Sequence, residues 1–196
     1  CVAQDNCGQS QYYTDSQTAV RTCTSCASDT YQSSSAHKTT SCTTQPTCGA
    51  GFSYEDSQTE ERTCTACSGD TYQDNTDHRV TPCPDRATCT TGQYYTTDGS
   101  ASTNRVCTAC AGDTYQDETN QASCDAKQTC AVGQGQSVNG GLTADRTCAA
   151  CVSGSTYSDE DTGAACQAVD TCTGSEHQTT APSASQNRVC STNTDT

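Results

Sequence analysis

The sequence predicts a small disulfide-rich repeat protein built from cysteine-rich modules. Three observations predict it. Nineteen of the 196 residues are cysteine. Leu, Ile, Val and Phe together number only 11, too few for the single apolar core that a chain of this length would ordinarily build. The gaps between cysteines cycle through five, 15 to 17, two and 13 to 15 residues, a period of about 41 residues that is typical of a repeat array.

Charge and hydropathy exclude several classes of partner. The chain has 9 Lys and Arg against 23 Asp and Glu, a net charge of -14, so it offers no basic surface to nucleic acid. No apolar run approaches the roughly 20 residues of a membrane helix, so we expect no membrane insertion in this segment. Low hydrophobicity with high net charge would by itself indicate disorder. Order therefore requires covalent or metal cross-links.

Two types of module alternate along the cysteine grid. First-type modules span 26–42, 67–83, 110–124 and 151–166, and carry Asp-Thr-Tyr-Gln or, in the last copy, Ser-Thr-Tyr-Ser. Second-type modules span 7–23, 48–64, 89–107, 130–148 and 172–190, and close with Arg-Thr-Cys or Arg-Val-Cys. If each module closes on itself, the nine disulfides are Cys7–Cys23, Cys26–Cys42, Cys48–Cys64, Cys67–Cys83, Cys89–Cys107, Cys110–Cys124, Cys130–Cys148, Cys151–Cys166 and Cys172–Cys190. Spacing does not determine connectivity, so other pairings such as Cys42 with Cys48 stay open.

Cys1 has no partner in this scheme, and we expect it to be unpaired or intermolecular. Its spacing to Cys7 is that of a closing cysteine from a first-type module that begins upstream. Asn193 stands where another opening cysteine would be expected. The predicted organisation is a partial repeat over 1–23, repeats over 24–64, 65–107, 108–148 and 149–190, and a tail over 191–196. The array is thus expected to be cut or processed at its start and to stop near its end.

Zinc is the alternative cross-link. Cys23, Cys26, Cys42 and Cys48 form C-x2-C-x15-C-x5-C, and similar quartets follow at 64/67/83/89, 107/110/124/130 and 148/151/166/172. Four thiolates with such a C-x2-C half are able to ligate zinc tetrahedrally. Structural zinc domains usually mix Cys with His, however, and this chain has three His. A cysteine-dense, acidic chain fits the oxidised state better, so we expect disulfides and no cofactor.

The stretch from Cys107 through Asp113-Thr-Tyr-Gln116 and Cys124 to Asp145-Arg-Thr-Cys148 resembles the cysteine-rich repeats of tumour necrosis factor receptor ectodomains. It also resembles related repeats in large extracellular proteins of algae and other protists. In that family two residues separate one repeat's last cysteine from the next repeat's first, as Thr24-Ser25 and Thr65-Ala66 do here. The resemblance implies an elongated rod of stacked cysteine-rich modules with short β-strands and loops, almost no helix and no catalytic residues.

The chain departs from the receptor pattern in its second-type modules. Those of the receptors commonly hold two interlaced disulfides, whereas each second-type module here has only its two boundary cysteines. The extra bridge shapes the receptors' contact loops. No residue of this chain can therefore be matched to a ligand contact.

Recurring Arg and Tyr residues are expected to pack at the module joints. Each Arg stands two residues before a closing cysteine, and we expect it to pair with a carboxylate or stack on a Tyr ring across the joint. The alternative is a row of charges for an anionic glycan. Each Tyr is expected to pack on a disulfide and on the adjoining module, with sugar binding as its alternative. The residues are Arg21, Arg62, Arg105, Arg146, Arg188, Tyr31, Tyr72, Tyr115 and Tyr157. The modules at 130–148 and 172–190 lack aromatic residues, so looser joints are predicted there.

Metal and catalytic sites have weak support in the sequence. Acidic residues cluster at Asp74/Asp77, Asp113/Asp117/Glu118 and Asp159/Glu160/Asp161, but none of these stretches matches a calcium loop. Calcium is therefore kept as a minor alternative to a solvated acidic surface. His37 and His78 occupy the same place in successive modules, yet no motif places a nucleophile beside them. We therefore expect that the chain is not an enzyme.

Thr and Ser make up about 30% of the chain, and no Asn-x-Ser/Thr sequon occurs. Any attached sugar is therefore expected to be O-linked, the alternative being that these residues simply fill exposed strands and turns. The predicted sites are Ser33, Ser34, Ser35, Thr39, Thr40, Thr179, Thr180 and Ser183.

The sequence favours a non-enzymatic, secreted or cell-surface structural protein, a segment of a surface or filament-forming glycoprotein. Near-identical modules and a depleted core favour this function. The expected partners are other copies stacked head to tail, or neighbouring repeats of a longer chain. The alternative is a receptor-like ectodomain that binds a protein ligand, which the family resemblance favours.

Overall fold

The structure is a computed structural model that describes residues 5–14, 19–79 and 82–193. Within these ranges the regular structure consists of 16 short strands paired in eight separate two-stranded antiparallel sheets, with no helix. Nine disulfides staple the modules. The predicted fold class, a disulfide-rich repeat protein built from short strands, is confirmed.

Each second-type module contains a hairpin of two strands. The hairpins are β1 (Gln11–Thr14) with β2 (Thr22–Ser25), β5 (Phe52–Glu55) with β6 (Thr63–Ala66), β7 (Gln93–Thr97) with β8 (Val106–Ala109), β11 (Gln134–Val138) with β12 (Thr147–Ala150), and β15 (Glu176–Thr180) with β16 (Val189–Thr192). First-type modules hold the two-residue pairs β3 (Thr30–Tyr31) with β4 (Thr43–Thr44), β9 (Thr114–Tyr115) with β10 (Asp125–Ala126), and β13 (Thr156–Tyr157) with β14 (Gln167–Ala168). The module at 67–83 has a single bridge, Thr71 to Asp85, at the same place.

The hairpins place an aromatic ring opposite each closing cysteine in the first three second-type modules. Tyr13 pairs with Cys23, Tyr54 with Cys64 and Tyr95 with Cys107. Cross-strand partners lie close enough for ring and disulfide to share one face. In the last two modules Gln136 and Gln178 take the place of the ring.

Loop length sets the regularity of each hairpin. Modules whose cysteines are 16 residues apart, such as Cys48–Cys64, have an uninterrupted register. Modules with a separation of 18, such as Cys89–Cys107, have a register shift between Tyr95 and Thr97. The longer modules absorb their extra residues in part as a β-bulge.

The structure joins the same nine cysteine pairs that module-by-module closure predicts. The four sulfurs of the proposed zinc quartet at 23/26/42/48 lie in three different disulfides. A zinc site would need these four sulfurs as thiolates, and a sulfur bonded in a disulfide is no longer a thiolate ligand. Cys1 lies outside the described residues.

Cystine sulfur, and not aliphatic carbon, fills the interior of the modules. Cys7, Cys48, Cys89 and Cys130 are the largest fully buried side chains of the described residues. Most of the bulky aliphatic residues lie at the surface: Val20, Val106, Val132, Val138, Val152, Val189 and Leu142 are all exposed. Phe52 is likewise 40% exposed, at the first position of β5.

The chain divides into two compact units. The first comprises Cys1–Ala87 with Asp98–Arg105, and the second comprises Thr88–Thr97 with Val106–Thr196. The boundary passes through the module at 89–107, whose tip belongs to the first unit and whose strands belong to the second. In the part of the chain that the structure describes, no helix has the length and apolar character needed to cross a membrane.

Candidate functional site

The most regular feature of the molecule is the contact between successive modules, and the Gln of the Asp-Thr-Tyr-Gln segment lies at its centre. In the first unit, Ser10 donates its backbone N–H to the Gln32 carbonyl at 2.9 Å, and Gln32 N–H donates to the Gln58 carbonyl at 3.0 Å. One first-type residue thereby joins the second-type modules on both sides. The pattern recurs at Gln73, Gln116 and Ser158. All four residues are buried.

The Gln side chain stabilises the turn that follows it. Its Oε1 accepts a hydrogen bond from the backbone N–H two residues ahead. Ser34 N–H donates to Gln32 Oε1 at 3.0 Å, and Glu118 N–H donates to Gln116 Oε1 at 3.0 Å. An amide supplies this acceptor without the desolvation cost of a buried charge. The Gln is therefore the residue whose main chain and side chain together determine how the modules meet.

A second recurring contact, here called the arginine joint, consists of a second-type Arg, the Asp of the preceding first-type module and the carbonyl two residues before the second-type module opens. Arg62 shows it most completely, with its side chain fully buried. Its Nη2 donates to Asp29 Oδ1 at 2.8 Å and to Asp56 Oδ1 at 3.0 Å, and its Nη1 donates to the Pro46 carbonyl at 2.9 Å. The guanidinium also lies 3.9 Å above the Tyr54 ring. Burial alone would lower the pKa of Arg62, but the hydrogen bonds to the two carboxylates raise it overall.

The next arginine joint lies in the same unit. Arg105 donates to both carboxylate oxygens of Asp70, at 2.6 and 3.2 Å, to Asp98 at 2.9 Å and to the Ala87 carbonyl at 2.9 Å. A planar guanidinium suits this two-pronged carboxylate contact. Arg86 reaches the same acidic pair, with Nε 3.2 Å from Asp70. The hydrogen bond with Asp70 raises the pKa of Arg105.

In the second unit Arg146 repeats the joint. It donates to Asp113, to the Gln128 carbonyl at 2.7 Å and to Gln136 Oε1 at 3.1 Å. Gln136 thus supplies the acceptor that Asp56 supplies to Arg62. A built Cβ on Gly163 would lie 2.2 Å from Arg146 Nη1, so the guanidinium packs directly against that backbone.

The last second-type module keeps only half of the joint. Arg188 donates to the Asp170 carbonyl at 2.9 Å, the equivalent of the Pro46 carbonyl. Ser155 stands where the three earlier modules have Asp, although its own carbonyl still accepts Val169 N–H at 2.9 Å as Asp29 accepts Gln45 N–H. The last module thus keeps the main-chain hydrogen bond of the earlier modules but lacks the carboxylate.

We predict that Ser155→Asp strengthens this joint, because the new carboxylate would meet a half-buried guanidinium. The expected gain is about 1 kcal/mol. It corresponds to roughly fivefold slower hydrogen exchange at the Ser158 amide, which bonds to the Ala184 carbonyl. Ser153→Asp adds the same charge to the same module and should leave that rate unchanged. Equal effects of both variants would contradict the assignment.

A pH dependence is expected at the second arginine joint. The hydrogen bond from Arg105 holds the pKa of Asp70 below its ordinary value of 3.8. Since the folded pKa is lower than the unfolded one, this carboxylate stabilises the fold above about pH 4. That stabilisation is lost as the pH falls through the folded pKa.

The melting temperatures of the wild type and Asp70→Asn, measured from about pH 7 to about pH 2, provide the test. The difference between them should be largest near neutral pH and shrink below about pH 4. A difference that stays constant over the whole range would contradict the role of the charged form.

The predicted Arg and Tyr contacts differ in where they form. Carboxylate pairing runs across the joint, as expected, but ring stacking lies within one module: Arg21 lies 4.7 Å from the Tyr13 ring, and Arg62 stacks on Tyr54. Both rings sit on the hairpin whose second strand follows the Arg, so the guanidinium reaches them without leaving its own module. At these two positions the ring contact therefore lies within a module and not across the joint.

The first-type Tyr residues occupy the short sheets. Tyr31 and Tyr115 are half-buried in β3 and β9, and Tyr72 is half-buried beside the Thr71 bridge. Tyr157 is buried in β13, and its hydroxyl donates to Gln167 Oε1 at 3.3 Å. Burial raises the pKa of Tyr115.

The two aligned His residues connect modules. His37 Nε2 lies 3.0 Å from the Gly8 carbonyl, and His78 Nε2 lies 3.1 Å from the Gly49 carbonyl. Each ring nitrogen therefore donates to the second residue of the preceding second-type module. The backbone of each His also pairs with the opening cysteine of that module, Cys7 or Cys48.

The described residues do not form a set of ligands for zinc or for calcium. Over 5–14, 19–79 and 82–193, no group of three or more His, Cys, Asp or Glu side chains is arranged to hold a metal ion. Asp113, a member of one acidic cluster, instead binds Arg146.

The predicted sugar sites lie mainly at the surface. Ser33, Ser34, Ser35, Thr39, Thr40 and Thr179 are exposed, while Thr180 and Ser183 are half-buried. Ser183 also pairs with Gln186 in a loop bridge. Attachment of sugar at these residues stays a prediction.

Two sets of joint residues were not singled out from the sequence. They are the carboxylates Asp29, Asp70 and Asp113, and the amides Gln32, Gln73 and Gln116. The signal was present, since both stand at fixed places in the Asp-Thr-Tyr-Gln segment. What the sequence did not show is that the Asp residues bind an Arg 33 to 35 positions further along the chain.

No protein-family model matches the chain. No curated protein sequence matches it either. Solved structures with some likeness include the human RANKL/OPG complex, with a TM-score of 0.34, 21% identity, and coverage of 76% of this chain and 91% of that chain. The mouse RANKL-OPG complex has a TM-score of 0.29, 20% identity, and coverage of 62% and 90%. At these TM-scores the likeness carries no argument about function. On its own disulfides, strands and joints, the chain is a cysteine-rich repeat protein.

Proposed function

We propose that this chain is a non-enzymatic, extracellular structural repeat protein, a segment of a surface or filament-forming glycoprotein. The observation that carries the proposal is the repeated joint: a buried Gln or Ser main chain connects both neighbouring modules at four successive places. Within each compact unit, such joints hold successive modules in a defined arrangement. Dense disulfides support an oxidising, extracellular location.

The arginine joints support the same role. In three of them the buried guanidinium binds a carboxylate 33 to 35 residues earlier in the chain, so three second-type modules are tied to the first-type module before them. Carboxylates and main-chain carbonyls of this chain bind all three of these side chains. This arrangement supports a mechanical role over a row of charges for an anionic glycan.

We further propose that copies associate end to end, with the tumour necrosis factor receptor-like repeat as the building unit and Cys1 as a bridge between chains. Nineteen cysteines and nine intrachain disulfides leave Cys1 as the odd thiol. Because module ends resemble one another, a contact that does not close on itself would give an open filament.

The test uses the full chain purified under oxidising conditions. Sedimentation velocity and negative-stain electron microscopy should show end-to-end assemblies that lengthen with concentration. Cys1→Ser should shorten them and abolish disulfide-linked dimers on a non-reducing gel. Lys38→Ser, which leaves the cysteine count unchanged, is the control. Monomers at every concentration would contradict the filament proposal, and saturable binding of a soluble protein by that monomer would favour the receptor-like alternative.

A further inference from the structure

A cleft lies at equivalent places in two repeats, once in each compact unit. In the first unit it is lined by Ser53, Thr65, Ala66, Cys67, Ser68, Thr71, Pro82 and Cys83 and has a volume of about 250 Å³. In the second unit it is lined by Tyr94, Ala109, Ala111, Thr114, Ser123 and Cys124 and has a volume of about 370 Å³. We call these the Ser53 cleft and the Tyr94 cleft.

The two clefts share one construction. Ser53 and Tyr94 are each the fifth residue after the opening cysteine of their second-type module. Thr71 and Thr114 are each the fourth residue after the opening cysteine of the following first-type module. Each cleft therefore lies between a hairpin and the disulfide of the next module. Since the same positions line both, the cleft follows from the repeat pattern.

The lining carries no charge. None of the residues around either cleft is Asp, Glu, Lys, Arg or His, although the chain as a whole has a net charge of -14. An anionic ligand would be repelled by the acidic surface around the cleft, and a cationic ligand would find no carboxylate in its lining. The lining therefore favours a neutral ligand.

The polar atoms of the Tyr94 cleft are hydroxyls beside an aromatic ring. Thr114 Oγ1 donates its proton to the Ala111 carbonyl at 2.7 Å, which leaves its lone pairs as acceptors toward the cleft. Tyr94 is half-buried, so part of its ring and hydroxyl is available. A sugar ring suits this combination, because its hydroxyls donate hydrogen bonds and its C–H face packs on an aromatic ring.

We propose that the Tyr94 cleft binds a neutral saccharide, taken from free oligosaccharide or from a glycan on another molecule. The Ser53 cleft is the weaker counterpart, since a Ser stands in place of the ring. The Tyr94 cleft, at about 370 Å³, is at the lower end of ligand sites, which span about 300–1,000 Å³, so a short segment of a glycan is the fitting occupant. This role goes beyond the proposed structural function and does not depend on it.

The following repeat supplies an internal contrast. Gly135 occupies the position of Tyr94, and a Cβ built on it would lie 2.2 Å from the Cys166 backbone nitrogen and 2.7 Å from its Sγ. Backbone and disulfide therefore fill the space that is open beside Tyr94. This repeat should not bind saccharide.

The test is an NMR titration of the isotope-labelled, oxidised full chain with two neutral probes, maltohexaose and mannohexaose. A hexasaccharide of galacturonic acid serves as the charged control. We expect at least one neutral probe to shift the signals of Tyr94 and Thr114, with a Kd of about 1 mM, and the charged probe to shift neither. The signals of Gly135 and Ala165 should stay in place.

Two reciprocal substitutions complete the experiment. Tyr94→Ser should raise the Kd about fivefold, and Ser53→Tyr should lower the Kd of the Ser53 cleft by a similar factor. A melting temperature close to that of the wild type shows that each variant is folded. The proposal is overturned if neither neutral probe shifts Tyr94 and Thr114, if the charged probe binds equally well, or if the folded Tyr94→Ser variant binds with unchanged Kd.

Discussion

Replacing both cysteines of the Cys48–Cys64 disulfide by Ala should cost about 4 to 5 kcal/mol of stability in its module. Closing a loop with a sequence separation of 16 contributes about 3 kcal/mol through the entropy of the unfolded chain. Cys48 is only 1% exposed, so truncation also leaves a cavity and adds to the loss. Urea denaturation followed by tyrosine fluorescence measures the change, because the chain has nine Tyr and no Trp.

The Cys67–Cys83 disulfide provides a matched control. It has the same sequence separation of 16 and lies in the same unit, but both of its cysteines are half-buried. The same double substitution should cost about 3 kcal/mol, close to the loop-entropy contribution alone. Equal losses for the two pairs would show that burial of Cys48 adds nothing to its module.

Arg62→Gln should lower the stability of the first unit by about 2 kcal/mol. The substitution removes a fully buried guanidinium that binds Asp29, Asp56 and the Pro46 carbonyl and stacks on Tyr54. Hydrogen bonds to charged groups contribute about 1.5–3 kcal/mol each. The two carboxylates are 35% and 50% exposed and regain water, so the loss stays below that of a fully buried pair. Hydrogen exchange at the Gln32 amide, which bonds to the Gln58 carbonyl, reports the joint directly.

Arg79→Gln is the control for this prediction. Arg79 Nε also binds Asp29 Oδ1, at 2.9 Å, but its side chain is 44% exposed. Exposed ion pairs contribute little, so the expected loss is below about 1 kcal/mol. If the two variants destabilise the unit equally, charge on Asp29 and not burial of the guanidinium is what matters.

The regularity of the cysteine grid explains why so much of the fold follows from sequence. Each module closes over a short loop, so closure of each module on itself was the expected pairing, although spacing left others such as Cys42 with Cys48 open. The scarcity of aliphatic residues likewise indicates that cystine replaces an apolar core, and Cys89, with 0% exposure, illustrates this.

The contacts between modules were harder to predict, because sequence pattern reports local periodicity and not which loops meet. Asp29 and Arg62 are 33 residues apart, and only the tertiary structure places them in one joint. The ring that stacks on Arg62 proved to be its own module's Tyr54. The sequence also did not indicate which positions require glycine. Nothing in the spacing of Gly135 sets it apart, yet the backbone of Cys166 lies where a side chain at this position would be.

The sequence by itself determined the alternation of two cysteine-bounded module types and the absence of an aliphatic core, and it favoured oxidised cross-links over zinc, since these depend on spacing and composition within about 16 residues. The tertiary structure alone decided which charges are buried, which aliphatic residues remain exposed and where a cleft opens. Those properties arise from contacts between modules that are distant in sequence. Burial and desolvation there depend on how neighbouring loops pack, which no local pattern encodes.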